Sequence, residues 1–141
     1  MSTLKVAKVE SPDTSAGGIT ISSAGLVTVA AASGSISDIA VAAGDTTKTL
    51  DFATSSNFEL TLANTSSCTL ANPSNLAEGQ SGSIFIVQDS TGSRLLTYGS
   101  QWEFIGGTAP TLTTTASAVD RIDYVVRSTS KIHAVFTANY S

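Results

Sequence analysis

Hydrophobic and polar positions alternate along most of this chain with a period of two, the signature of strands that bury one face. Residues 57–63 show it most plainly: Phe58, Leu60 and Leu62 read as inward, Asn57, Glu59 and Thr61 as outward. Residues 35–41, 47–53 (Leu50 and Phe52 on one face), 67–71 (Cys68 and Leu70) and 111–115 read as further short strands. Near the C-terminus, residues 120–127 place Ile122, Tyr124 and Val126 on one side, with Arg121, Asp123 and Arg127 on the other. After a turn at 128–130, residues 131–138 return with Ile132, Ala134 and Phe136 inward, which predicts a hairpin with one wet face.

The bulkiest stretch, residues 79–107, holds the only Trp and is the predicted centre of the fold. Residues 83–88 carry apolar side chains on both faces, Ile84 and Ile86 against Phe85 and Val87, as in a central strand covered on both sides. Asp89-Ser90-Thr91-Gly92-Ser93 supplies turn chemistry, since Asp and Ser bond nearby backbone and Gly tolerates positive φ. Residues 94–98 are then expected to return as a second strand, with Trp102–Phe104 after Gly99, giving a β-meander around one aromatic cluster.

The first 33 residues differ. Residues 4–9 alternate as a short strand, 11–18 read as a loop, and 18–22 and 26–29 as two strands of a hairpin. This segment contains no aromatic residue and too few aliphatics to offset its own ordering entropy, so it is expected to pack against a partner or the main domain. Residues 30–34 read as a linker. The expected organisation is all-β: an extended N-terminal arm, 1–33, and an antiparallel, jelly-roll-like β-sandwich, 34–141.

Composition narrows the function. Ser and Thr together make 42 of the 141 residues, and charged residues only 13%. With seven basic residues in no patch and a net charge of −4, the chain lacks the phosphate-neutralising cations of a nucleic-acid binder. Its single Cys offers neither an intrachain disulfide nor a thiolate metal site, and no cofactor is expected. Neither a secretory signal nor an apolar run long enough to span a bilayer is evident, which predicts a soluble protein without membrane contact.

Candidate chemistry is sparse. His133, the only histidine, falls on the wet face of the last strand and reads as a surface or interface residue. Asp120 and Asp123, three apart on a strand, face opposite sides and make no acid/base pair, whereas Asp123 shares a face with Arg121 and Arg127, which predicts salt bridges along the ladder. The Gly79–Gly82 and Gly106-Gly107 stretches do not open helices, so they read as turns rather than phosphate cradles. Residues 89–92 lack the spacing of a calcium loop. Tyr98, Trp102 and Phe104 read first as core and second as an aromatic contact platform; Tyr98, Trp102 and His133 are the candidate receptor or subunit contacts. No catalytic residue is expected.

Two stretches resemble known proteins. The opening, MSTLKVAKVESPDTSAGGITISSAGLVTV, resembles the N-termini of tailed-phage virion proteins, especially fibre-type proteins of marine phages. Residues 72–127, with NPSNLAEGQSGSIFIVQD, TGSR, QWEFIGGTAPTLT and AVDRIDYVV in order, look like a β-rich module at the C-termini of phage tail and head-surface proteins. The resemblance implies a non-enzymatic structural and interaction unit, made in the host cytoplasm, carried on the virion surface and typically a homotrimer. Because the chain lacks a long shaft of repeats, a capsid-decorating, cement or head-fibre protein is expected before a tail-fibre adhesin that binds a host glycan or protein. Leu4, Val6, Val9, Ile19, Ile21, Val27 and Val29 would then dock on the major capsid protein or another virion protein.

Overall fold

The computed structural model describes residues 19–21, 27–29 and 35–140. The chain divides into two units, Met1–Ser33 and Gly34–Ser141. In the first, β1 (Ile19–Ile21) and β2 (Val27–Val29) pair antiparallel, Ile19 opposite Val29 and Ile21 opposite Val27, as the hairpin reading expects. The expected strand at residues 4–9 and the loop at 11–18 lie outside the described residues.

The second unit is built of strands with no α-helix among the described residues, and none is long and apolar enough to cross a membrane. In chain order they are β3 (Ile36–Val41), β4 (Thr47–Lys48), β5 (Asn57–Leu62), β6 (Cys68–Leu70), β7 (Ser81–Gln88), β8 (Leu96–Tyr98) and β9 (Trp102–Phe104). A 3-10 turn (Ile105–Gly107) follows, then β10 (Val119–Ser128) and β11 (Lys131–Thr137). They form a six-stranded sheet ordered β3-β5-β7-β10-β11-β9 and a three-stranded sheet ordered β4-β6-β8.

From β3 to β8 the chain alternates between these two sheets. Each circuit lays one strand beside the last, so β3, β5 and β7 run parallel in one sheet, and β4, β6 and β8 in the other. Parallel neighbours require a long crossover, and here the strand of the opposite sheet supplies it in place of a helix. Register keeps like above like: Ile39 pairs with Leu60 and Leu60 with Ile86, while Thr69 pairs with Thr97 and their hydroxyls bond at 2.9 Å. Within this unit only the C-terminal part is antiparallel, β10 pairing with both β7 and β11; β11 then takes β9 in parallel.

Several expectations are therefore corrected. The sheet is mixed, not the antiparallel jelly-roll expected, because alternation fixes which way side chains face but not the direction of the neighbouring strand. The meander fails for the same reason: β8 does not return beside β7 but crosses to the smaller sheet. Residues 111–115 form no strand; the buried Asp120 carboxylate instead accepts the Thr113 N–H (2.7 Å) and the Asn139 N–H (2.8 Å). Of residues 47–53 only Thr47–Lys48 is strand, though Leu50 and Phe52 are buried as expected. On β7, Ile84 and Ile86 are buried, but Phe85 and Val87 stay half-buried on the outer face.

One hydrophobic core joins the two sheets. Phe58, Leu60, Leu62, Ile84, Ile122 and Ile132 reach it from the larger, Cys68, Leu70 and Leu96 from the smaller. Phe52, on the connection after β4, sits at its aromatic centre, 5.6 Å from Phe58 and 4.8 Å from Tyr124 between ring centroids. The turn after β7 forms as its sequence predicts. Asp89 Oδ1 accepts the Thr91 and Gly92 N–H groups, Gly92 has φ 73°, and Arg94 pairs with Asp89 at 2.7 Å.

Candidate functional site

The candidate site lies along β9, one of the two edge strands of the six-stranded sheet. A cleft of about 830 Å³ opens there, its walls including Tyr98, Trp102, Glu103, Phe104, Ile105 and His133. Its position follows from a tight turn. Gly99 passes so close to Asn72 that a Cβ would stand 2.3 Å from Asn72 Oδ1, and the same oxygen accepts the Gln101 N–H at 2.9 Å. The Trp102 N–H then donates to the Gly99 carbonyl at 3.1 Å, which launches β9 alongside β11.

Alternation along β9 sends its side chains two ways. Trp102 pairs with Ile132 and turns into the core, where its indole N–H donates to the Ala71 carbonyl (3.0 Å) and its ring edge meets Phe52 and Tyr124. Only 6% of Trp102 is exposed. Phe104 meets Tyr98 edge-on at 4.8 Å. Burial pushes the Tyr98 phenol well above its ordinary pKa, and its hydroxyl has no hydrogen-bond partner among the described residues. Beyond β9, Gly106 and Gly107 take φ 73° and 71° and leave Ile105 80% exposed at the mouth of the cleft.

Glu103 faces the other way, next to His133. Its carboxylate accepts a hydrogen bond from the Lys131 ammonium and lies 3.3 Å from His133 Nε2. The Lys131 hydrogen bond first, then the charges of Lys131, Arg127 and His133, hold the Glu103 carboxyl below its ordinary pKa. Chemically the cleft offers an apolar wall and a charged rim. Among the described residues no cluster of His, Cys, Asp and Glu is suited to hold a metal ion.

The cleft thus brings Tyr98, Trp102 and His133 together, although His133 is distant in sequence. Trp102 is part of the core and only skirts the cleft wall, so the exposed platform belongs to Phe104 and Ile105. Nothing in the local sequence marks Glu103 or Ile105 as part of a site. The period-two pattern of residues 131–137 carries the outward set of β11, and the signal that β9 joins it is absent from either segment alone. Ile19, Ile21, Val27 and Val29 lie on β1 and β2; Leu4, Val6 and Val9 fall outside the described residues. Of the pairings expected for Asp123, that with Arg121 forms at 2.9 Å. Cys68 is buried, and burial raises its thiol pKa. Comparison with protein-family models, curated proteins and solved structures found no match.

Proposed function

We propose that this is a non-enzymatic virion protein of a tailed phage, carried on the particle surface as a homotrimer and decorating or cementing the capsid. In this reading the first 33 residues are an extended arm. Leu4, Val6, Val9, Ile19, Ile21, Val27 and Val29 dock it on the major capsid protein or another virion protein, and 34–141 project outward as a sandwich of two sheets. The observation that carries the reading is the sequence resemblance of residues 1–29 and 72–127 to phage virion proteins. An arm poor in large apolar side chains and a charged fraction of 13% agree with it. Binding repeated over many copies needs little affinity per site. Antibody labelling of purified particles, viewed by electron microscopy, tests it: label over the head is expected, and unlabelled intact particles would refute it. Deletion of residues 1–33 should abolish attachment.

A second reading, a tail-fibre adhesin for a host glycan or protein, is favoured by the cleft at β9. It predicts label on the tail. It also predicts glycan-array binding that Phe104→Ala and Glu103→Gln abolish while the fold is retained; Trp102→Ala is unsuitable here because it would damage the core.

A further inference from the structure

The six-stranded sheet ends in two unpaired edges, β3 and β9, among the described residues. Unpaired strand edges invite pairing with another chain. Following the pairings inward from each, β3, β5 and β7 are parallel, β10 reverses, and β11 and β9 run with β3 again. The two edges therefore point the same way.

They also carry complementary features. Ile36, 48% exposed, stands at the β3 edge opposite Asn57, whose side chain accepts the Ser83 N–H. Ser83 pairs with Asp123, and Asp123 with Val135, which is 49% exposed. The parallel register of β11 with β9 ends at Ala134 with Phe104; just beyond it, Val135 and Ile105 both line the cleft. One row of the sheet thus has exposed aliphatic side chains at both ends, a projecting Ile36 at one and an apolar cleft at the other.

Charge follows the same division. Asp38 and Glu59 are register neighbours near the β3 edge, and neither has an ion-pair partner among the described residues. On the cleft wall the Glu103 carboxylate is paired with the Lys131 ammonium and also feels the positive charge of Arg127.

We propose that the β9 cleft of one copy receives the β3 edge of a second copy of this chain, a head-to-tail contact centred on Ile36 against Ile105 and Val135. A cleft cannot fill another cleft, and two β9 rims would set like charges together, so the contact is heterologous and not two-fold. Repetition of such a contact about a rotation axis closes a ring. The inference rests on the reading of the chain as a multi-copy building block and adds which surfaces meet.

The test is sedimentation equilibrium of the full chain at about 100 μM, enough to populate a micromolar complex, with Ile36→Asp and Ile105→Asp. Both residues are exposed, and a melting curve checks that each variant folds; Ile36→Ser and Ile105→Ser replace any that does not. The wild type is expected as an oligomer and each variant as the 14.3 kDa chain. Mixed one to one, the variants should form a dimer of twice that mass and nothing larger, because each keeps the edge that the other lacks. High salt should weaken both assemblies, since the charges are exposed. A monomeric wild type, variants of wild-type mass, or a mixture that stays monomeric each overturns the proposal. A monomeric wild type that still labels virions overturns only this contact and leaves the proposed function standing.

Discussion

Replacing Trp102 by Ala separates a core wedge from a contact residue. Its ring is 94% buried, given 6% exposure, and touches Phe52 and Tyr124 edge-on. Truncating a buried Trp costs about 3–5 kcal/mol through lost transfer energy and the cavity left behind. The Ala71 carbonyl loses the indole N–H, at 3.0 Å, and if left dry adds about 1–3 kcal/mol. These two effects share one site and do not add fully, so the expected loss is about 4–6 kcal/mol. Against a total near 5–15 kcal/mol, that is a large share of the stability of the domain. The melting temperature should fall by roughly 15 °C or more. Trp102→Phe keeps most of the ring and should lose only about 1–2 kcal/mol, mainly the hydrogen bond. Phe104→Ala, half-buried at the cleft, should fall in a similar range. Because Trp102 is the only Trp, urea unfolding is followed by far-ultraviolet circular dichroism rather than Trp fluorescence. A Trp102→Ala protein within about 1 kcal/mol of wild type would refute the wedge and return Trp102 to the surface.

Three further outcomes are expected. Gly82→Ala should cost about 3 kcal/mol or more, because the new Cβ would lie 1.7 Å from the Ser56 carbonyl oxygen that also accepts the Tyr124 hydroxyl; Gly44→Ala, with open space around it, is the control, and equal urea midpoints would contradict the clash. At alkaline pH, burial raises the phenols of Tyr98 and Tyr124, the latter to about 12, so stability is full below pH 10 and is lost as pH rises toward 12; ultraviolet titration should show both ionising only as the fold opens, and reversible ionisation near pH 10 with unchanged circular dichroism would count against it. At acid pH, the Arg94 hydrogen bond holds Asp89 below its ordinary 3.8, so this contribution is present above that value and lost as pH falls through the lowered one; Asp89→Asn should flatten the decline in melting temperature below pH 4, and an unchanged slope would show that the pair adds nothing.

How much was legible in the chain depends on the range of the interaction concerned. The facing of Phe58, Leu60 and Leu62, of Ile122, Tyr124 and Val126, and of Ile132 and Ala134 was readable because a strand turns alternate side chains to opposite sides whatever its neighbours do. The Asp89 turn and the β10–β11 hairpin were readable because their partners lie within a few residues. The aromatic half of the cleft showed as a cluster in one stretch, but the half from β11 did not, since Glu103 and His133 meet only through the β9–β11 pairing. Direction and partnership were decided by tertiary structure. Alternation is the same for parallel and antiparallel neighbours, so nothing local says that the strands from β3 to β8 are dealt in turn to two sheets. Nor does local sequence say that Trp102 fills the centre: that depends on Phe52 and Tyr124 arriving from two other segments to close around it.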